Sequence, residues 1–295
     1  MKKILITGAN SYIGTSFEKY IKENFSENYS VDTIDMIDGS WRDKDFSGYD
    51  SVFHVAGIAH SDNGKISAEK EKLYYEVNTD LTVETAKKAK ADGVNQFIFM
   101  SSAIVYGDSA PIGKTKRITK DTPVSPANCY GDSKVQAENG LNDLSDENFN
   151  VVILRPPMIY GKGSKGNYPL LAKIASLTPV FPYVENERSM LYIENLCEFV
   201  RLMVENEEQG TFWPQNAEYS NTSELVKMIA EAHGKKVHLI KGFVWALKIM
   251  SKVTGLVNKA FGSLSYDKEL SRYKEKYNIC VMHVSIDRTE KTKNE

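Results

Sequence analysis

Along the first half of the chain the spacing of apolar residues changes repeatedly between the strand and helix periods. The short apolar runs "KKILITG", "YSVDTID", "SVFHVAG" and "QFIFMSS" read as buried strands. Between the first two, "YIGTSFEKYIKENF" places Ile13, Phe17, Tyr20 and Ile21 on one helical face. Ahead of the fourth, "EVNTDLTVETAKKAKADG" reads as a helix closed by Gly93, and "NVVILRPPMIYG" reads as a further strand. Strands alternating with helices predict βαβ units, hence an α/β fold with a doubly wound parallel sheet covered on both faces. The alternation weakens after Gly163. The pattern therefore predicts a sheet domain over 1–163, completed by parts of 188–205, a smaller mixed lobe over 164–282, and a polar, mobile tail over 283–295. The stretch from Asp108 to Asn128, interrupted by Pro111, Pro123 and Pro126, reads as a long ordered loop.

A chain of 295 residues is long enough for a large core with an appended lobe. Its net charge of −2 gives no electrostatic case for binding nucleic acid. Cys129, Cys197 and Cys280 are scattered, with no CxxC pair, which reads as reduced thiols in a cytoplasmic protein. The opening "MKKILITGAN" lacks the apolar core of a signal peptide, and no apolar stretch reaches spanning length. No internal repeat is evident.

The turn after the first strand, "TGANSYIG", carries Gly8, Asn10, Ser11, Tyr12, Ile13 and Gly14. A dinucleotide site needs a tight strand-to-helix turn, backbone close to a pyrophosphate and a helix N-terminus aimed at it. Gly8 suits the turn and Gly14 the packing of helix on sheet. Ser11, small enough for the site, stands where a middle glycine is expected. Asp35, 21 residues after Gly14 at the end of the second strand, is placed to accept both adenosine ribose hydroxyls. Its negative charge would repel a 2′-phosphate, so NAD is expected over NADP. "GDSAPIGKT" imitates a nucleotide-triphosphate loop, but it is one residue too long, is interrupted by Pro111, and precedes no helical pattern.

Tyr130 and Lys134 in "CYGDSK" lie four apart at the start of a helical pattern continued by Val135, Ala137 and Leu141, so they share a face. A neighbouring ammonium stabilises a phenolate, which predicts a Tyr130 acidified by Lys134 that passes protons in an alcohol–ketone interconversion. Ser102 ends the fourth strand in "FMSSAIVYG", at the carboxyl edge where such sheets hold ligands. Taken singly, each has a plainer explanation as a surface pair or a turn former. Their conjunction behind a dinucleotide loop carries the assignment.

"TGANSYIG", "HVAG" (His54 to Gly57), Asn78 in "VNTDLT", "SSAIVYG", "YGDSK" and "RPPMIYG" together resemble the extended short-chain dehydrogenases/reductases, in their nucleotide-sugar epimerase/dehydratase group, from Met1 to about Leu202. The resemblance implies a Rossmann-type NAD domain with a C-terminal substrate lobe, and Ser102, Tyr130 and Lys134 as the catalytic set. It implies that Lys134 also contacts the nicotinamide ribose, and that Ala56, Gly57 and Asn78 help shape the cofactor pocket. It further implies that Arg188 in "RSMLYIENL" grips a nucleotide diphosphate, as a guanidinium fork suits, with Asn167 in "GNYPLL" beside it. The substrate implied is a UDP-sugar, used in making surface polysaccharide precursors, and the implied assembly is a homodimer joined through the helices near Glu76 and Tyr130. Met158 departs from a frequent asparagine. Ala103 and Ile104 follow Ser102 where the dehydratase branch carries an acid pair, so dehydration is not expected. Two reactions stay open: a UDP-glucose 4-epimerase-like exchange at C4, and reduction of a UDP-4-keto-6-deoxy-N-acetylhexosamine. A cofactor-sensing binding protein without chemistry is the rival from another class.

"GFVWALKIMSKVTGLVNKAFGSL" is apolar with Lys248, Lys252 and Lys259 interspersed. A helix pair closing the lobe, broken at Gly255, is preferred here over a basic amphipathic helix at a membrane surface. Cys129 reads as a pocket-wall residue, His54 and His60 show no metal-ligand spacing, and Lys114, Lys116, Arg117 and Lys120 read as a solvated surface.

Overall fold

The apolar runs become strands whose register follows from their lengths. The computed structural model describes residues 1–59, 66–253 and 255–291, so His60 and the last four tail residues lie outside the described part. In chain order come β1 (Lys2–Thr7), α1 (Tyr12–Asn24), β2 (Tyr29–Ile34), β3 (Ser51–His54), α2 (Ala68–Tyr75), α3 (Leu81–Ala91) and β4 (Gln96–Met100). Then follow β5 (Arg117–Ile118), α4 (Cys129–Asn142), β6 (Asn150–Leu154), β7 (Met158–Tyr160), α5 (Asn167–Leu177), β8 (Val180–Pro182) and β9 (Met190–Tyr192). The chain ends with α6 (Ile193–Glu205), β10 (Gly210–Phe212), α7 (Thr222–Ala232), β11 (His238–Ile240), α8 (Val244–Val253), α9 (Gly255–Phe261), β12 (Ser265–Tyr266) and α10 (Met282–Glu290).

Contacts divide these elements into two units. Unit 1, made of Met1–Gly107, Pro123–Pro156 and Leu196–Trp213, holds a six-stranded sheet in the order β10-β6-β4-β3-β1-β2. Every pairing in it is parallel, with Thr7 opposite both Ile34 and His54. Strands covered on both faces are apolar throughout rather than alternating, and β3 and β4 are buried along their whole length. Leu5, Val52, Phe97, Phe99, Val151 and Ile153 from the strands pack with Ala86 and Ala89 of α3 and Ala137 and Leu141 of α4. This is the predicted Rossmann-type α/β sheet.

The outcome differs from the sequence pattern at four places. The helix expected from Glu76 begins at Ala68, capped by the Ser67 hydroxyl, and passes through a π-helical turn at Glu76–Asp80 before α3. "NVVILRPPMIYG" makes two strands, because Pro156 and Pro157 cannot donate to a ladder. Asp108–Thr122, expected within the sheet domain, belongs to unit 2, where β5 pairs with β12 and Ala110 exchanges backbone hydrogen bonds with Ser263. The tail folds as α10 as far as Glu290, burying Met282 and Ile286 and hydrogen-bonding Ser285 Oγ to the Tyr160 hydroxyl. Three short parallel pairs, β7 with β9, β8 with β11 and β5 with β12, are the strands of unit 2. Among the described residues no helix is long and apolar enough to cross a membrane.

Candidate active site

At the turn between β1 and α1, Gly8 has φ +103°, and a Cβ there would sit 2.8 Å from the Ala56 nitrogen. Only glycine permits so close an approach of this turn to the loop after β3. A Cβ on Gly14 would likewise meet Ser11 Oγ at 2.7 Å and Ile6 Cγ2 at 3.0 Å. The missing middle glycine is not needed. Ser11 is extended, at φ −71° and ψ 143°, while the left-handed position falls on Asn10 at φ 62°. Asparagine tolerates that conformation better than most residues. Ser11 Oγ accepts from Gly14 N at 3.1 Å and so caps α1. The backbone N–H groups of the first helical turn have no intrahelical acceptor, which makes this end of α1 suited to an anion. The Tyr12 hydroxyl is buried with no partner among the described residues, and Cys197 of α6 helps raise its pKa, second to burial. Tyr12 thus offers the turn its backbone, with its ring directed toward α6. Gly8 and Ala9 both donate to Ile34 O, at 3.0 and 3.2 Å, tying the turn to the end of β2. Asp35 follows directly and is exposed, with Oδ1 accepting from Ile37 N at 2.8 Å. A glycine cradle that a Cβ would fill, a helix N-terminus and an exposed carboxylate at the next strand end fit a dinucleotide.

Ser102 lies two residues past β4, and its Oγ accepts from Ile104 N at 3.3 Å, starting a short 3-10 turn over Ala103–Tyr106. The first turn of α4 abuts it: Asn128 Oδ1 caps the helix at Gly131 N, and a Cβ on Gly131 would lie 3.0 Å from Ile104 O. That contact brings the Tyr130 phenol up to the Ser102 hydroxyl. Tyr130 is only partly buried as a residue, with Tyr74 5.9 Å away ring to ring, yet its hydroxyl end lies deep. Burial pushes the phenol up to about 12, the nearby Ser102 hydroxyl pulling the other way and Tyr74 adding to the rise. The expectation of a phenol acidified by Lys134 is therefore corrected. Lys134, 5% exposed, donates to Met100 O at 2.9 Å and lies 4.6 Å over the Phe99 ring. Burial lowers its ammonium to about 8, against the raising effect of Glu138. Glu138 is itself held by Ser101 at 2.5 Å and by both arms of Arg155.

The loop after β3 is pinned from beneath. Asn78, fully buried in the π-helical turn, accepts from Ile58 N at 2.8 Å and donates to Ile58 O and to Ser133 Oγ. A Cβ on Gly57 would stand 3.0 Å from Asn78 Oδ1 and 3.4 Å from Lys134 Nζ, so glycine lets the loop close on both. His54 is buried between Thr7 and Thr82, and Thr82 gives its proton to Asn78 O. Nε2 therefore donates to Thr82 and Nδ1 accepts from Thr7. Burial, followed by the Lys134 charge, lowers His54 to about 3 and keeps it neutral.

The structure thus gathers Gly8, Asn10, Ser11, Tyr12, Ile13, Gly14, Asp35, Ala56, Gly57, Asn78, Ser102, Tyr130 and Lys134 within unit 1, on the turns that follow its strands and on the helices beside them. Arg188 and Asn167 belong to unit 2. Asn167 opens α5 and is exposed. The Arg188 guanidinium donates through Nη1 to Lys259 O at 2.7 Å and to Ala260 O and Gly262 O, at the end of α9. Burial, raising the Cys129 thiol pKa, keeps that group protonated, in line with a wall residue rather than a nucleophile. Sequence reasoning missed the Met100 carbonyl, the Phe99 ring and the Asn128 cap. Only the last had a local signal, a capping residue ahead of a helical pattern.

Residues 4–213 match the NAD dependent epimerase/dehydratase family. UDP-glucose 4-epimerase of Vibrio cholerae is 30% identical over 289 residues, covering 90% of this chain and 87% of that protein. N-acetyl-alpha-D-glucosaminyl-diphospho-ditrans,octacis-undecaprenol 4-epimerase of Escherichia coli O157:H7 is 29% identical, covering 85% and 81%. Among solved structures, UDP-glucuronic acid 4-epimerase from Bacillus cereus, in complex with NAD, shares the fold at a TM-score of 0.69 and 16% identity, over 98% of this chain and 97% of that one. The chain belongs to the NAD dependent epimerase/dehydratase family, as an enzyme of its epimerase or reductase kind.

Proposed function

We propose that the enzyme acts at C4 of a UDP-hexose or UDP-N-acetylhexosamine as a 4-epimerase, supplying surface polysaccharide precursors. The observation that carries this reading is the approach of the deep end of Tyr130 to Ser102, with Lys134 one turn along the same helix face. Bound NAD supplies the acceptor and donor of hydride. Tyr130, in the small phenolate fraction that its raised pKa allows, takes the proton of the C4 hydroxyl as the ketone forms and returns it when the opposite face is reduced. Ser102 hydrogen-bonds the C4 oxygen and fixes its orientation. Lys134 is assigned to the nicotinamide ribose, its chain held in place by the Met100 carbonyl. Gly8, Asn10, Ser11, Tyr12, Ile13 and Gly14 hold the cofactor pyrophosphate through backbone N–H groups, and Asp35 holds the adenosine ribose, excluding a 2′-phosphate. Ala56, Gly57 and Asn78 shape the pocket, Asn78 by clamping the loop at Ile58. Arg188 and Asn167 are assigned to the nucleotide diphosphate. Pairing of two copies through α3 and α4 completes the proposal.

One observation favours a second reading. A phenol held near 12 is protonated at rest, the state that a 4-ketoreductase uses to deliver a proton to a substrate ketone. Incubation with UDP-galactose, and separately with a 4-keto-6-deoxy UDP-sugar plus NADH, separates the two. Product without net cofactor consumption identifies the epimerase, and stoichiometric NADH oxidation identifies the reductase. The Escherichia coli relative is named for a sugar on undecaprenol diphosphate, so that lipid-linked N-acetylglucosamine belongs in the same trial. No turnover of any of the three ends the proposal.

A further inference from the structure

Helix α8 turns its apolar side chains outward. Trp245 is 66% exposed, Ile249 57%, Met250 51%, and Phe243 just ahead of the helix 52%. Positions 245, 248 and 249 form one stripe at helical spacing, and Lys248 on it is exposed as well. The neighbouring α9 packs in the ordinary sense, with Val257 and Phe261 buried and Phe261 stacked on Phe181 at 5.5 Å. A helix placed merely to close a lobe would bury Trp245 and Ile249 and expose its small residues.

Charge says what covers this face. Between Glu231 and Asp267 the chain carries six lysines and not one aspartate or glutamate. Lys235, Lys236, Lys241 and Lys248 are exposed, and none of the four sits in an ion pair among the described residues. The chain as a whole is slightly acidic, so the basic run is local to the apolar face. An aromatic and aliphatic face on a stretch rich in lysine and free of carboxylates, with Glu224 of α7 near Lys241 balanced by Lys227, matches the interfacial zone of an anionic bilayer. A second copy presents the same lysines and would be repelled.

We propose that unit 2 docks on anionic lipid bilayers through Phe243, Trp245, Ile249 and Met250, with Lys241 and Lys248 set against the headgroups. The proposal is independent of the reaction assigned above, since its readout is binding. The test is sedimentation of the full chain with phosphatidylglycerol–phosphatidylcholine vesicles and with phosphatidylcholine alone, while Trp245 emission is followed. The expected result is binding to the anionic vesicles only, a blue shift of Trp245 emission, and release by high salt. Lys241→Gln with Lys248→Gln weakens binding roughly thirtyfold. Phe243→Ser, Trp245→Ser and Ile249→Ser together abolish it, with turnover of soluble substrate unchanged. Equal binding to both vesicles, no binding to either, or an unaffected triple variant overturns the proposal. So does a concentration-dependent dimer that the triple variant dissolves, which would make this face a contact between copies.

Discussion

In unit 1 His54, Asn78 and Lys134 beside the site are buried and paired, whereas in unit 2 Trp245, Ile249 and Met250 of α8 stand in solvent. Each departs from the usual partition of residues, and the two departures mean different things. Burying His54, Asn78 and Lys134 is tolerable only because Thr7, Thr82, Ile58 and the Met100 carbonyl receive them, and that pairing fixes their geometry. Trp245 and Ile249 have no such cover among the described residues, and the docking proposed above would supply it.

The comparison breaks most decisively at Tyr130. Tyr130→Phe removes the hydroxyl that meets Ser102 and is expected to lower turnover by about 10²–10⁴-fold, with vesicle binding intact. Steady-state rates on the substrate identified above provide the check. If the rate holds, the paired groups of unit 1 are structural only. A smaller effect follows from Lys134, whose ammonium is present below about pH 8 and lost above it. Because the charged form is the stronger donor to the nicotinamide ribose assigned to it, NAD affinity is expected to weaken as pH rises through that value, which cofactor titration on both sides of it checks. Lys134→Met should remove that pH dependence of NAD binding, and because it leaves the buried Met100 carbonyl without this donor, thermal unfolding should show a loss of about 1 kcal/mol. The smallest effect is at Ser11. Ser11→Ala gives up the cap on Gly14 and should cost about 1 kcal/mol of stability, while Ser11→Gly should cost only a few tenths. Denaturant unfolding of both variants tests whether the serine acts as a cap.

Unit 1 was largely legible because its signals are local. Apolar runs announce strands buried on both faces, and the spacing from Gly14 to Asp35 marks two consecutive strand ends. Tyr130 and Lys134 could be placed on one helix face from their spacing alone. Their electrostatics could not, because what governs them is the depth of the phenol and the carbonyl of Met100, which sits 34 positions before the lysine. In unit 2 the pairings are distant. Arg117 and Ile118 find Ser265 and Tyr266, and the tail finds Tyr160, so neither the membership of Asp108–Thr122 nor α10 had a nearby signature. Prolines at 156 and 157 were visible, yet reading one strand through them ignored the missing donors.

The β5–β12 pairing also bears on synthesis. Residues 117 and 118 leave the ribosome well before residues 265 and 266, which at about 5–20 residues per second leaves β5 waiting on the order of ten seconds or more for its neighbour. During that interval it is an open edge, the kind of segment that recruits other chains. Lys114, Lys116, Arg117 and Lys120 crowd this short strand with like charge, a built-in guard against premature association until Ser265 and Tyr266 arrive.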